Sequence, residues 1–244
     1  MAPPSETPVL PDRSFRIDPR KALLCALVCW CGVGLTVWAV LTRHAEMLDN
    51  TGLLFWRDDT LEPEGSPKLI EGVRDVTALG GVLLRNLFAA GAVAALLFLR
   101  LRREALLLAL TVASGWAVNS ALIGLVGRAR PEIVPHLTEA GGNSFPSGHS
   151  FNSAVVYIAM ALAFAALSRR ESVRWTVMAV AMATSLAIAW SRVWLGVHWP
   201  SDVIAGWLGG AGWAFLASAL LDRPARVTVE AAEEISAAST SGQA

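Results

Sequence analysis

Six long apolar stretches, separated by short polar segments, organise most of this chain. A bilayer core about 30 Å thick requires about 20 helical residues, and each stretch approaches or reaches that length. The pattern therefore predicts an all-α, polytopic membrane protein whose six transmembrane helices form a bundle. The predicted spans are 22–41, 79–99, 104–126, 151–168, 173–190 and 203–221.

The remaining segments show weaker patterns. Residues 1–20 are rich in proline and residues 223–244 in Ala, Ser and Glu, which predicts disordered tails around one six-span domain at 21–222. The connection 42–78 is acidic, with apolar residues at helical spacing from Leu69 to Val76. That spacing predicts either an amphipathic cap on the bundle, which we favour, or an interfacial helix beside a lipid entrance.

The composition supports a membrane protein and excludes some other classes. Hydrophobic residues make up 54% of the chain and charged residues 16%, which is too apolar for an ordinary soluble domain. The net charge is zero, so no overall basic field attracts nucleic acid. The three cysteines all lie in the first apolar stretch, where they are expected to act as small hydrophobic residues.

The distribution of basic residues predicts the orientation in the cell membrane. Twelve Lys and Arg residues lie on one side of the predicted spans and seven on the other. Because cytoplasmic segments carry the excess of positive charge, we expect both termini in the cytoplasm and the loops 127–150 and 191–202 outside. The twelve are Arg13, Arg16, Arg20, Lys21, Arg100, Arg102, Arg103, Arg169, Arg170, Arg174, Arg223 and Arg226. The seven are Arg43, Arg57, Lys68, Arg74, Arg128, Arg130 and Arg192.

These two loops also carry the residues best suited to phosphate chemistry. Arg130 and Arg192 come from different loops, and a guanidinium pairs well with two phosphate oxygens. Ser147 and Gly148 directly precede the fourth span, where a helix N-terminus would direct free backbone N–H groups at an anion. The sequence therefore predicts a phosphate-binding site at one membrane face.

A histidine and an aspartate supply the reactive groups in this prediction. His198 and Asp202 lie four residues apart around Pro200, which is suited to the first turn of a helix. A carboxylate that holds one imidazole nitrogen fixes the tautomer and leaves the other nitrogen free to attack. His149, from the other loop, is then placed to protonate the leaving oxygen.

Three sequence motifs resemble those of the type 2 phosphatidic acid phosphatase superfamily, the integral-membrane lipid phosphatases. The family pattern Pro-Ser-Gly-His is intact at residues 146–149, and Ser-Arg-x5-His-x3-Asp is intact from Ser191 to Asp202. Of Lys-x6-Arg-Pro the chain keeps Arg130-Pro131 but has Ile123 in place of the lysine.

The resemblance implies a role for each motif residue, with no metal and no cofactor. His198 is implied as the nucleophile that forms a phosphohistidine, Asp202 as its orienting group and His149 as the general acid. The phosphoryl oxygens are implied to contact Arg130, Arg192, Ser147 and Gly148. The implied substrate is a membrane lipid at the outer leaflet: undecaprenyl diphosphate, phosphatidic acid or phosphatidylglycerol phosphate.

Ile123 leaves one phosphate contact without a cation. We expect Arg128, two residues from Arg130, to take over the phosphate contact of the missing lysine. The alternative function is a phospholipid-binding or translocating membrane protein with weakened catalysis, which Ile123 alone supports. Arg85, inside the second span, is either functional or extends its charge to the interface.

Overall fold

A computed structural model describes residues 18–168 and 170–241, with side chains as far as Leu220. Over these residues the chain forms eight α-helices and no β-strand. Outside the helices, Arg57 and Pro63 form an isolated antiparallel β-bridge. The helices are α1 (Pro19–Leu41), α2 (Glu46–Leu54), α3 (Pro67–Ala78), α4 (Val82–Phe98), α5 (Arg102–Val126), α6 (Gly148–Ala165), α7 (Glu171–Trp194) and α8 (Pro200–Ser241).

Five of these helices are long and apolar enough to cross a membrane: α1, α5, α6, α7 and the part of α8 up to Leu220. The helices α3 and α4 pass the same test only as a pair, which is bent by 47°. The described chain thus has five candidate spans, or six if the bent pair counts as one. This confirms the predicted all-α, multi-pass class, with α4 as the second predicted span.

Local sequence sets several helix ends. Asp18 caps α1 by accepting from the Arg20 N–H at 2.8 Å, and Ser66 caps α3 ahead of Pro67. Gly127 ends α5 in a left-handed conformation with φ of 64°, which a glycine adopts without a steric penalty. The α5 terminus therefore falls within one residue of the predicted boundary at 126.

The helix α6 lies at the centre of the bundle and packs against α5, α7 and α8. Glycines on α8 permit the closest of these contacts. A Cβ at Gly206 would lie 2.7 Å from the Ser147 carbonyl oxygen, and one at Gly210 would overlap the Phe151 carbonyl. Small residues at a helix interface allow two backbones to approach in this way. The start of α6 is thus fixed directly against the start of α8.

Two short helices cover one end of the bundle, where α5 and α7 finish and α6 and α8 begin. We call this the motif end. Leu53 of α2 is fully buried against Val134 and Val193, and Val73 of α3 packs on Trp194 and Val197. These contacts favour the amphipathic cap over the interfacial helix for the connection 42–78.

The predicted tails are only partly within the described residues. The backbone of α8 is helical through Ser241, where the sequence predicts a tail without structure from residue 223. Most of the predicted N-terminal tail, residues 1–17, lies outside the described residues. The division into a domain at 21–222 and two tails stays a prediction.

Candidate active site

A cavity of about 350 Å³ lies at the motif end and collects the sequence-predicted residues from four segments. The loop after α5 contributes Arg130, the start of α6 contributes Gly148 and His149, the end of α7 contributes Arg192, and the α7–α8 loop contributes His198. Residues 139–143 form the rest of one wall. The two motif loops therefore meet at one face, as the sequence predicts.

The His198 imidazole is held between a carboxylate and a guanidinium. Its Nδ1 lies 3.5 Å from Asp202 Oδ2, which is within ion-pair distance but does not form a hydrogen bond, and its Nε2 lies 3.0 Å from Arg130 Nη1. A guanidinium has only donors, so Nε2 must be the accepting nitrogen, with its lone pair directed at Arg130. The proton then belongs on Nδ1, facing Asp202. Both neighbours select the same tautomer, in which Nε2 is the nitrogen that carries the lone pair.

His198 is also kept neutral by its surroundings. Burial lowers its pKa from 6.5 to about 4, and the positive charges of Arg130 and Arg192 act in the same direction against the raising effect of Asp202. A neutral imidazole is the form that can attack phosphorus. His198 is therefore in the form that its predicted role as nucleophile requires at neutral pH.

This lowered pKa predicts an unusual acid limb of activity. Protonation of His198 removes the nucleophile only as the pH falls through about 4, whereas an ordinary imidazole loses it through 6.5. A phosphate monoester takes up a proton near pH 6, so the acid limb of kcat/KM should follow the substrate's phosphate pKa. We expect the limb to move when substrates of different phosphate acidity are compared. A limb fixed near 6.5 for every substrate would contradict the lowered pKa.

Arg130 is anchored by carbonyl groups around the cavity. Its Nη1 donates to Val197 O at 2.7 Å, and its Nη2 donates to Gly141 O at 2.9 Å. Its Nε donates to Gly142 O at 3.2 Å. Burial lowers the pKa of Arg130 from its ordinary value, and the charge of Asp202 opposes the shift. A guanidinium remains protonated at neutral pH, so Arg130 presents a fixed positive charge beside the nucleophile.

Arg192 supplies the second cation from the opposite wall. Its side chain is 3% exposed, and Nη1 donates to the Thr77 hydroxyl at 2.9 Å. Its Nε is buried and has no hydrogen-bond partner among the residues that the structure describes. An unpaired buried donor is costly, and a phosphate oxygen in the adjacent cavity is the kind of acceptor it lacks.

The start of α6 forms the floor of the cavity. Gly148 and His149 are the first two residues of the helix, where backbone N–H groups have no intrahelical acceptor. Ser147 takes a different role from the predicted phosphate contact. It is fully buried as the N-cap, its hydroxyl accepts from Ser150 Oγ at 3.0 Å, and its N–H donates to Asp202 O. The structure shows Ser147 as a helix cap, and its predicted phosphate contact stays a prediction.

Arg128 is placed away from the cavity, contrary to the sequence hypothesis. Its Nη1 donates to Asp202 Oδ1 and to Ser201 Oγ, both at 2.7 Å. Its Nη2 donates to Asp49 Oδ2 at 2.6 Å. Its fork is engaged by two carboxylates and it does not line the cavity, which leaves its predicted contact with the substrate phosphate unsupported. Ile123, in contrast, does lie on the cavity wall.

Two polar partners of the site were not identified from the sequence. Asp49 is one of eight acidic residues in the connection 42–78, and nothing in the pattern distinguishes it from the others. Thr77 is one polar position in an amphipathic helix.

Arg85 is buried and donates to Gly80 O at 3.2 Å, at the break between α3 and α4. It therefore stabilises the bend and is not on the cavity wall.

Among the residues that the structure describes, no group of three or more His, Cys, Asp or Glu side chains is arranged to hold a metal ion. The absence of a metal from the reaction stays a prediction.

Comparisons with known proteins identify the family. Residues 104–226 match the family model of the PAP2 superfamily. Phosphatidylglycerophosphatase B of Bacillus subtilis is 33% identical over 148 residues, which are 57% of this chain and 69% of that protein. A lipid A 1-phosphatase of Rhizobium etli is 37% identical over 105 residues, 39% of this chain and 40% of the relative.

The fold agrees with a solved structure as well. The crystal structure of a transmembrane PAP2-type phosphatidylglycerolphosphate phosphatase from Bacillus subtilis superposes with a TM-score of 0.70 and 24% sequence identity. The match covers 81% of this chain and 96% of that one. At this identity the likeness concerns the fold. The family model, which spans half of the chain, and the 33% identical relative show that the chain belongs to the PAP2 superfamily, as a multi-pass membrane lipid phosphatase.

Proposed function

We propose that this protein dephosphorylates a lipid phosphate or diphosphate through a phosphohistidine at His198, without a metal ion. The observation that carries the proposal is the arrangement of His198. Its Nε2 accepts from Arg130 and its Nδ1 faces Asp202, beside a cavity that also contains Arg192 and His149. One cavity is thus lined by a nucleophile, two cations and a second histidine as the acid, and the orienting carboxylate of Asp202 lies buried behind the nucleophile.

In the first step, His198 Nε2 attacks the terminal phosphorus, and the bond from that phosphorus to the leaving oxygen breaks; this is the lipid oxygen of a monophosphate or the bridging oxygen of a diphosphate. His149, protonated once the negatively charged phosphate lies beside it, donates that proton to the leaving oxygen, and the lipid alcohol leaves, or the lipid monophosphate if the substrate is a diphosphate. Arg130 and Arg192 stabilise the negative charge on the three transferring oxygens. Asp202 stabilises the positive charge that develops on the imidazole.

In the second step, a water molecule attacks the phosphohistidine. His149, now neutral, accepts a proton from this water, and the bond from Nε2 to phosphorus breaks. Inorganic phosphate is released and both histidines return to their starting states. The free backbone N–H groups at the start of α6 are placed to bind the phosphoryl oxygens in both steps.

The substrate class is proposed from the relatives. They are named as phosphatases of phosphatidylglycerophosphate and of lipid A, and a third, from Escherichia coli, as a putative undecaprenyl-diphosphatase. We accordingly keep phosphatidylglycerol phosphate, phosphatidic acid and undecaprenyl diphosphate as candidate substrates. The apolar Ile123 on the cavity wall removes one cation, which disfavours the more highly charged diphosphate.

Phosphate release by the purified protein in detergent tests the proposal. With the three candidate lipids as substrates, we expect turnover of at least one, undiminished by EDTA, because the assigned residues need no metal. Orthovanadate should inhibit, since its five-coordinate form mimics the transition state. Loss of activity with EDTA and its recovery with Mg²⁺ would contradict the mechanism. Lipid binding without turnover would favour the phospholipid-binding or translocating alternative, which rests on Ile123.

We further propose that the motif end faces outside the cell, with both termini in the cytoplasm. The excess of basic residues on the opposite side supports this orientation. A cysteine at the exposed Glu132 position should react with an impermeant thiol reagent in intact cells, and one at Ser172 should react only after lysis. The matched background replaces Cys25, Cys29 and Cys31 by alanine. Labelling of the Ser172 position alone in intact cells would reverse the orientation.

A further inference from the structure

A buried chain of charges connects the cap helix α2 to the catalytic aspartate. Asp49 of α2 is 1% exposed and lies 2.6 Å from Arg128 Nη2. The other end of the guanidinium fork lies 2.7 Å from Asp202 Oδ1, and Asp202 is fully buried. Arg128 also lies over the Trp199 ring, 5.3 Å from its centroid. One arginine thus bridges two buried carboxylates and is itself held in place by an aromatic ring.

The contacts of Asp202 divide its two oxygens between different tasks. Oδ1 accepts from Arg128, while Oδ2 accepts from the Trp199 backbone N–H at 3.0 Å and faces His198 Nδ1. With Oδ1 held by a charged donor, the carboxylate cannot rotate without breaking a strong hydrogen bond. Oδ2 is therefore kept directed at the imidazole.

Asp49 fixes the same region from a second direction. Its Oδ1 accepts from the Ser201 backbone N–H and its Oδ2 from the Ser201 hydroxyl, both at 2.8 Å. Ser201 lies in the first turn of α8, directly before Asp202, where N–H groups lack intrahelical acceptors. Asp49 therefore caps the helix that carries the catalytic aspartate, and does so from a separate helix.

We propose that Asp49 and Arg128 are positioning residues for catalysis, which act on the nucleophile through Asp202 and not on the phosphate. The inference rests on the proposed function, since it requires His198 as the nucleophile. It assigns a catalytic contribution to α2, which lies outside the segment 104–226 that matches the family model. The cap is then a part of the active site as well as its cover.

The charges of the three residues explain why both Asp49 and Arg128 are needed. Arg128 alone would neutralise Asp202 and weaken its attraction for the positive charge that develops on His198. Asp49 pairs with the second half of the fork, so the group of three keeps one net negative charge. Asp49→Asn should therefore weaken catalysis even though asparagine keeps the shape and one accepting oxygen.

The experiment compares Asp49→Asn and Arg128→Gln with the parent protein in the intact chain. We expect kcat to fall about 10- to 100-fold in each, the range for lost hydrogen bonds to charged groups. KM and the inhibition constant of inorganic phosphate should stay within about twofold, because neither residue lies on the cavity wall. Arg192→Gln serves as the contrast, since loss of a phosphate contact should weaken phosphate inhibition.

A double-mutant cycle separates positioning from general stability. In an Asp202→Asn background, Asp49→Asn and Arg128→Gln should cause less than about a twofold further loss, because the group they act through is gone. Arg57→Gln is the matched control: it removes a buried arginine at the motif end that bonds Trp194 O and not Asp202. Whatever loss it causes should recur unchanged in the Asp202→Asn background. Single-turnover formation of the phosphoenzyme keeps slow variants measurable.

Three results would overturn the inference. The first is a parental kcat in both variants. The second is a double variant with Asp202→Asn whose loss of kcat equals the product of the two separate losses. The third is a raised inhibition constant of inorganic phosphate in Arg128→Gln, which would restore Arg128 as a phosphate contact. If Arg128→Gln fails to fold, Arg128→Lys replaces it, because a lysine keeps the charge but cannot bridge both carboxylates. The proposed function fails separately, if His198→Ala remains active.

Discussion

His198→Ala is expected to lower phosphate release by about 10⁴-fold or more, the scale seen when a catalytic nucleophile is removed. Among the residues that the structure describes, His198 is the cavity histidine held by both partners: its Nε2 lies 3.0 Å from Arg130 Nη1 and its Nδ1 lies 3.5 Å from Asp202 Oδ2. The variant should also fail to retain label from a radioactive lipid phosphate after rapid denaturation in alkali, in which phosphohistidine survives. The measurements are steady-state turnover and the trapped phosphoenzyme.

The matched control for this variant is His44→Ala, which removes an exposed histidine stacked on Trp38 at the same end of the bundle. It should retain parental turnover and labelling. Label retained by His198→Ala at the parental level would mean that another residue carries the phosphoryl group. Parental turnover without any label in either protein would instead favour direct attack by water on the substrate.

The elements around the site were predictable because their sequence signals are local. Apolar length set the spans, and Ser147 and Pro200 mark the starts of α6 and α8 as the sequence indicates. Spacing also placed Asp202 beside His198, because four residues at a helix start bring the two side chains to one side. The two motif loops were expected at one face from charge bias alone, and Arg130 does reach Val197 O across them.

The position of Arg128 away from the cavity lining has a physical origin. Arg128 and Arg130 are two residues apart, and the sequence hypothesis assigned both to the phosphate. In the irregular loop after Gly127 the two side chains diverge, so that Arg130 meets His198 and Arg128 meets Asp49, 79 residues earlier in the chain. Pairing over such a separation depends on the three-dimensional packing of α2 and leaves no spacing signal in the sequence. The same holds for Thr77 and Arg192, which are 115 residues apart.

His149 is expected to show an effect that depends on the leaving group. It lines the same cavity as His198, and the break between α3 and α4 packs closely on its ring. A Cβ on Gly80 would lie 3.4 Å from His149 Cδ2. That distance is an ordinary van der Waals contact, so this segment lies beside the imidazole without crowding it. A histidine on the cavity wall beside His198 is placed to exchange a proton with the leaving group.

His149→Asn should therefore lower kcat/KM by about 10²- to 10⁴-fold on an alkyl lipid phosphate, whose alcohol must be protonated as it leaves. On p-nitrophenyl phosphate the loss should be much smaller, because a nitrophenolate leaves without a proton. A lipid diphosphate should fall between the two, since its leaving group is itself a phosphate. The three substrates act as controls for one another in a single variant, so a folding defect would lower all three alike. Equal losses of kcat/KM on the three substrates would contradict the role of His149 as general acid. A graded loss would support that role and would distinguish His149 from His198, because removal of His198 should affect every substrate to the same extent.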